Sequence, residues 1–137
     1  MGSLLLVDTS VAVALLVEDH VAHETCRAAL ADQDLGLAGH AIFETMSVLS
    51  RMPAPQRRSV RVIHEAIEYS FPRTRFLSEE GTRAAAARMG ELGIGGGAVY
   101  DALVAAAAIE QGLPLVSRDL RAVPTYRAMG AQILLIG

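Results

Sequence analysis

The sequence predicts an α/β domain built on a mainly parallel β-sheet. Short apolar runs alternate with longer segments of helical periodicity, which is typical of α/β proteins. The short runs are apolar throughout, as expected for strands covered on both faces. The chain has 137 residues, 52% of them hydrophobic, which is enough for one compact domain over residues 1–137 and too little for two. About five strands and six or seven helices fit in this length.

The first half of the chain predicts two strands and four helices, in the order strand, helix, helix, strand, helix, helix. These are predicted over residues 3–7, 11–17, 23–30, 35–38, 42–49 and 56–69. Thr9 and Ser10 can cap the first helix. Pro53 and Pro55 end the third helix, because proline removes a backbone donor and clashes with the preceding turn.

The second half predicts three strands and two long helices. In chain order the elements cover residues 75–77, 78–92, 99–111, 113–116 and 131–136, and only the second and third are helices. The loop at 93–98 matches the dinucleotide-binding pattern G-x-G-x-x-A. That fingerprint requires a strand before the loop, whereas residues 84–92 have a helical pattern. We therefore expect a flexible loop that leads into the helix containing Asp101.

Composition excludes several classes of protein. A single cysteine, Cys26, rules out a disulfide framework, and the sequence fits a reducing cytoplasm. The high apolar content and net charge of −3 exclude disorder. No apolar run approaches the roughly 20 residues of a membrane span. All twelve basic residues are arginine, so mechanisms that need a lysine, such as P-loop hydrolysis or Schiff-base chemistry, are excluded.

Four carboxylates lie in or beside apolar elements. Asp8 and Asp119 follow predicted strands, and ligand sites of parallel sheets form at that edge. Asp101 begins the most apolar predicted helix, and Glu44 lies within another. Each has a simpler interpretation: Asp8 and Asp119 as helix caps, Asp101 as a complement to a helix N-terminus, and Glu44 as an exposed helix position.

Convergence of the four carboxylates would require a cation. Two carboxylates ~4 Å apart repel by roughly 4 kcal/mol at an effective dielectric constant of about 20. A cluster of four must therefore take up protons or bind a metal ion. Oxygen ligands suit Mg²⁺ or Mn²⁺ rather than zinc. Such an ion, held by carboxylates and water, is well suited to hydrolysing a phosphodiester.

Several stretches together carry a family likeness. They are LVDTS at 6–10, IFE at 42–44, VLSR at 48–51, VYDALVAA at 99–106, LVSRD at 115–119 and PTY at 124–126. In these the chain resembles PIN-domain ribonucleases and, among them, the VapC toxins of bacterial toxin–antitoxin pairs. The resemblance covers nearly the whole chain, and residues 51–76 match it least. It implies a three-layer fold with a five-stranded parallel sheet, and a Mg²⁺- or Mn²⁺-dependent endonuclease that cleaves single-stranded RNA.

The resemblance also implies roles for individual residues. Asp8, Glu44, Asp101 and Asp119 match the acidic quartet that binds metal and catalyses the reaction. Two hydroxyl residues, Ser10 and Ser117, would support these acids. The family further implies a homodimer and a cognate VapB-type antitoxin that covers the acidic site.

Arginines offer a possible binding surface for the RNA backbone. Six of the twelve fall within residues 51–75, where they form either a phosphate-binding rim or a solvated helix face. Arg51 lies seven residues after Glu44, so both would point the same way on a helix. Arg118 adjoins Asp119 and could bind phosphate or neutralise the acids.

Two alternative functions follow from the same residues. One is a non-catalytic PIN-like module that binds RNA or protein, in which the acids would be dispensable. The other is an aspartyl-phosphate phosphatase. That chemistry usually needs Asp-x-Asp at the first strand end and a lysine, whereas this chain has Asp8-Thr9-Ser10 and no lysine.

Overall fold

The computed structural model describes residues 2–137, which form seven helices and four strands. In chain order these are β1 (Leu4–Val7), α1 (Thr9–Leu16), α2 (His23–Leu30), β2 (Asp34–Leu37), α3 (Ala41–Ser50), α4 (Val60–Ser70), α5 (Glu79–Leu92), α6 (Ala98–Gln111), β3 (Leu115–Ser117), α7 (Val123–Met129) and β4 (Ile133–Leu135). The predicted alternation of strands and helices is confirmed. Each helix within residues 2–137 is too short or too polar to span a bilayer.

The strands form one parallel sheet in the order β2-β1-β3-β4. Leu6 and Val7 of β1 pair with Leu115 and Val116 of β3 at its centre. Consecutive residues of β1, from Leu5 to Val7, are all buried. Because neighbouring side chains of a strand point to opposite faces, both faces of the sheet are covered by helices. The predicted α/β class and parallel sheet are therefore confirmed.

The predicted fifth strand over residues 75–77 is wrong. Residues 2–137 contain four strands, and this segment contributes only an isolated bridge between Ala38 and Arg75. The backbone N–H groups of Arg73 and Arg75 donate to the carbonyls of Leu35 and Leu37, at 3.1 and 3.2 Å. The N–H of Leu37 donates to the Thr74 hydroxyl at 3.0 Å instead of to a backbone carbonyl, so the ladder beside β2 is interrupted at a side chain.

Two helices differ from the prediction: α4 begins later than expected, and α7 was not predicted. Helix α4 begins at Val60 rather than at residue 56, because the Ser59 side chain accepts a hydrogen bond from the N–H of Val62. The sequence also contains a helix that the periodicity did not single out, α7. It carries a proline in its first turn and ends at Gly130, whose φ of 102° favours glycine.

Candidate active site

The carboxyl ends of β1 and β3 place two of the predicted acids side by side. Asp8 directly follows β1, and its N–H donates to the carbonyl of Val116 in β3 at 3.1 Å. Ser117 ends β3, and Asp119 follows two residues later. The parallel pairing of adjacent strands thus brings both segments to one edge of the sheet, where ligand sites of such sheets lie.

All four predicted acids line one pocket of about 390 Å³ at this edge. Asp101 reaches it from the first turn of α6, and Glu44 reaches it from the first turn of α3. The complete lining consists of Asp8, Thr9, Ser10, Val13, His20, Glu44, Val48, Asp101, Arg118, Asp119, Arg121 and Tyr126. We call this the acidic pocket. The structure therefore places the four acids, which are up to 111 positions apart in the chain, around one space.

Asp8 lies at the base of the acidic pocket and accepts four hydrogen bonds. Ser10 Oγ donates to its Oδ1 at 2.6 Å, and the N–H of Val11 donates to the same oxygen at 3.2 Å. Ser117 Oγ and the hydroxyl of Tyr126 donate to Oδ2 at 2.5 and 2.8 Å. A carboxylate offers about four lone-pair positions, so all are engaged. Asp8 caps α1, as its simpler interpretation predicted, and also belongs to the pocket.

The two predicted supporting serines also connect Asp8 to its surroundings. Ser10 Oγ accepts a hydrogen bond from the N–H of Arg118 at 2.9 Å, and Ser117 Oγ accepts one from the N–H of Asp119 at 3.0 Å. Each hydroxyl thus donates to Asp8 and accepts from the segment after β3. These bonds hold that segment against the start of α1.

Burial and hydrogen bonding act in opposite directions on the charge of Asp8. Burial raises the pKa of its carboxyl, while the hydrogen bonds from Ser10, Ser117, Tyr126 and Val11 lower the pKa and oppose that shift. Burial also raises the pKa of the Tyr126 phenol, and the negative charge of Asp8 raises it further. Tyr126 therefore remains a neutral hydrogen-bond donor to this carboxyl.

Glu44 is half-buried and is held near Asp8 by contacts between α1 and α3. Thr45, which is fully buried, donates from Oγ1 to Thr9 Oγ1 at 3.4 Å, and Thr9 Oγ1 donates to the carbonyl of Ala41 at 3.3 Å. The pKa of Glu44 is raised, first by burial and then by the negative charges of Asp101 and Asp8. Its exposed-helix interpretation is therefore wrong.

One guanidinium holds the other two acids. Arg121 Nη1 donates to Asp101 Oδ2 at 3.1 Å, and Nη2 donates to Asp119 Oδ2 at 3.0 Å. The N–H of Arg121 also donates to Asp119 Oδ1 at 3.0 Å. The side chain of Asp101 is only 10% exposed, whereas that of Arg121 is 69% exposed. Arg121 thus spans the mouth of the pocket and neutralises part of its charge.

The two arginines predicted to bind RNA lie in different places. Arg118 lines the acidic pocket, and its Nε is buried without a hydrogen-bond partner among residues 2–137. Arg51 is exposed and lines an adjoining groove that shares Glu44 and Val48 with the pocket. None of the six arginines between residues 51 and 75 lines the acidic pocket itself.

Sequence reasoning missed three side chains of the acidic pocket: Arg121, Tyr126 and His20. Arg121 lies two residues after a predicted ligand, Asp119, and this proximity was the available signal. Tyr126 lies in one of the stretches of family likeness, but its bond to Asp8 spans 118 positions and depends on the fold. The glycine-rich loop follows helix α5 rather than a strand, so the dinucleotide interpretation is wrong.

Comparisons with known proteins agree with this geometry. Residues 5–127 match the family model of the PIN domain. The chain is 41% identical over 130 residues to Ribonuclease VapC27 of Mycobacterium tuberculosis, which covers 95% of each protein. The crystal structure of M. tuberculosis VapC20, described as a sarcin-ricin loop cleaving toxin, has the same fold, with a TM-score of 0.69 and 18% identity over 95% of this chain and 96% of that one. VapBC2 from Rickettsia felis, bound to a DNA fragment from its promoter, gives a TM-score of 0.67 and 14% identity over 98% of both chains. This chain therefore belongs to the PIN-domain family and, within it, to the VapC type.

Proposed function

We propose that this chain is the ribonuclease toxin of a toxin–antitoxin pair. It would hydrolyse phosphodiester bonds of single-stranded RNA with the help of Mg²⁺ or Mn²⁺. The convergence of Asp8, Glu44, Asp101 and Asp119 on the acidic pocket is the observation that carries this proposal. The name of the relative VapC27, a ribonuclease, supports RNA as the substrate.

The chemistry of the pocket fits a divalent cation, although its acids are not arranged around a common point. Within residues 2–137, no three Asp, Glu, His or Cys side chains form a ready-made metal-binding group. Mg²⁺, however, commonly uses only one or two carboxylates and keeps several waters. The contact of Arg121 with Asp101 and Asp119 supports the same conclusion, because a positive charge already lies against these oxygens.

In this proposal Asp101, Glu44 and Asp119 hold the cation from the walls of the pocket. Asp8, whose oxygens already accept four hydrogen bonds, would add negative charge at the base of the pocket. When bound, the cation activates water and stabilises negative charge on the phosphate. Arg118 at the pocket and Arg51 in the adjoining groove would position the RNA backbone, since a guanidinium can bind phosphate through two hydrogen bonds.

Removing divalent cations is the direct test of this proposal. A mixed single-stranded RNA pool and total cellular RNA are incubated with the protein in Mg²⁺, in Mn²⁺ or in EDTA, and the cut ends are mapped. We expect cleavage with either cation and none in EDTA, restored by adding back excess metal. Cleavage that continues in EDTA would contradict the metal dependence.

A non-catalytic binding module is the alternative outcome of the same experiment. The neutralisation of Asp101 and Asp119 by Arg121 is the observation that favours it. A folded protein that binds but does not cut any RNA in the pool or in total cellular RNA would support this alternative. The acids would then be dispensable for binding.

The proposal includes a cognate antitoxin that covers the acidic pocket. The pocket accepts a guanidinium from Arg121, so an arginine of the antitoxin could engage the same carboxylates. Such an arginine would compete for the oxygens that bind the cation and would block access of RNA. The single contact between this arginine and the carboxylates of the pocket would be enough to inhibit the nuclease.

A homodimer is also part of the proposal, and an exposed apolar groove supports it. Gly39, His40, Phe43, Phe76, Leu77, Thr82 and Leu103 line this groove. Phe43 and Phe76 are more than half exposed. The described residues that line the groove include no charged side chain. A two-fold axis brings the same patch of both copies together, and an uncharged patch avoids like-charge repulsion there.

Replacing Phe76 by glutamate is expected to convert the dimer to a monomer. The substitution would place two negative charges across the two-fold axis in an apolar contact, which is costly. Size-exclusion chromatography with light scattering measures the mass. Val21→Glu, at an exposed apolar position on another part of the surface, is the matched control and should remain dimeric. An unchanged mass of the Phe76→Glu variant would place the interface elsewhere.

A further inference from the structure

Arg121 engages the same oxygens that the proposed cation would need. Its Nη1 and Nη2 contact Asp101 Oδ2 and Oδ1 at 3.1 and 3.5 Å, and Nη2 also contacts Asp119 Oδ2 at 3.0 Å. The backbone N–H of Arg121 donates to the remaining oxygen of Asp119, Oδ1, at 3.0 Å. One residue therefore contacts all four oxygens of these two acids.

A guanidinium and a divalent cation compete for these oxygens. Mg²⁺ approaches carboxylate oxygens to about 2.1 Å and needs near-octahedral space for its other ligands. The guanidinium nitrogens lie about 3 Å from the same oxygens and carry a like charge, which the cation would repel strongly in a partly buried pocket. Binding of the cation at Asp101 and Asp119 therefore favours displacement of the guanidinium.

The side chain of Arg121 is free to make this movement. It is 69% exposed and lies between β3 and α7, in the short segment before the N-cap of α7, Ala122. Rotation of its side chain leaves the backbone hydrogen bond to Asp119 intact. By contrast, Arg118 of the same pocket is half-buried and has its Nε enclosed, so it cannot move as freely.

We propose that Arg121 is an internal counterion that competes with the divalent cation for Asp101 and Asp119. The chain thus carries its own inhibitory contact, which sets the cation concentration at which the site becomes loaded. This inference rests on the proposed metal-dependent function. Arg121 acts in the opposite way to a metal ligand. Its contacts with Asp101 and Asp119 stabilise the pocket while the cation is absent, and these contacts are lost when the cation binds.

The test compares Mn²⁺ affinity, measured by calorimetry without RNA, between the wild type and Arg121→Gln. Loss of the competing charged hydrogen bonds should tighten Mn²⁺ binding by about tenfold. Arg118→Gln is the matched control, because it removes a charge from the same pocket without touching Asp101 or Asp119. We expect that control to tighten binding by no more than about twofold, the effect of general electrostatics alone. Thermal unfolding verifies that both variants are folded.

A second measurement follows the side chain of Arg121 directly. Titration of the wild type with diamagnetic Mg²⁺, observed through the arginine Nε–H signals by NMR, should shift the signal of Arg121. The signal of Arg88, which is exposed on α5 and does not line the acidic pocket, should stay unchanged. Equal Mn²⁺ affinity of wild type and Arg121→Gln would overturn this inference while leaving the proposed function intact. Failure of both proteins to bind Mn²⁺ would overturn the metal step of the proposed function and this inference with it.

Discussion

Replacing Asp101 by asparagine is expected to slow RNA cleavage by about 10²–10³-fold, the usual cost of losing one electrostatic group at a reacting phosphate or carbonyl. The amide keeps the shape of the side chain but removes the negative charge that faces the proposed cation. Asp101 is the most buried acid of the pocket after Asp8, and it lies at the start of α6, where asparagine is also tolerated. The readout is kcat/KM on a defined RNA fragment at saturating Mn²⁺.

A matched control separates the effect of Asp101→Asn from the effect of removing one negative charge from the protein. Glu91 lies on the exposed side of α5 and does not line the acidic pocket, so Glu91→Gln changes the net charge equally. We expect Glu91→Gln to cut RNA at the wild-type rate. If Asp101→Asn retains the wild-type rate as well, the pocket is not where the RNA is hydrolysed.

Replacing Tyr126 by phenylalanine is expected to lower the free energy of unfolding by about 1.5–3 kcal/mol, the usual contribution of a hydrogen bond to a charged group. The Tyr126 hydroxyl is buried and donates to Asp8 at 2.8 Å, in an environment where burial already raises the pKa of that carboxyl. Loss of this donor should raise the pKa of Asp8 further. Urea unfolding at neutral pH measures the change in stability.

Tyr69 provides the control for this substitution, because it is 90% exposed. Tyr69→Phe removes the same hydroxyl from the surface and should change the free energy of unfolding by less than about 0.5 kcal/mol. Equal stability of both variants would mean that Ser117 and Ser10 satisfy Asp8 without help. In that case Tyr126 contributes only its ring to the core.

The strand ends of this fold were predictable because two local signals coincide there. An apolar run ends in Asp8, and another ends shortly before Asp119; in a parallel sheet these ends must meet at one edge. Helix α2 was predicted with its observed bounds, from His23 to Leu30. The proximity of Asp8 and Asp119 follows from these elements, whereas the prediction that Glu44 and Asp101 join them came from the family resemblance.

The contacts around the acids were not predictable from the sequence. Arg121 could as well have pointed to solvent, and only the fold places Asp101, twenty positions earlier, within reach of its guanidinium. The same holds for Tyr126, whose partner is fixed by the packing of α7. The failed fifth strand has a similar cause, because the Thr74 hydroxyl accepts the hydrogen bond of the Leu37 N–H, 37 positions earlier, which a backbone carbonyl would accept in a continuous ladder.

The four donors of Asp8 come from opposite ends of the chain, and this determines when the acidic pocket can assemble during synthesis. Two donors, Ser10 and Val11, belong to the beginning of the chain, whereas Ser117 and Tyr126 are synthesised more than a hundred residues later. Asp119 and Arg121 belong to the same late segment. A nascent chain on the ribosome therefore holds Asp8, Glu44 and Asp101 but lacks the residues that assemble them into a pocket. The proposed active site therefore cannot assemble until α7 has emerged from the ribosome and packed against the rest of the domain.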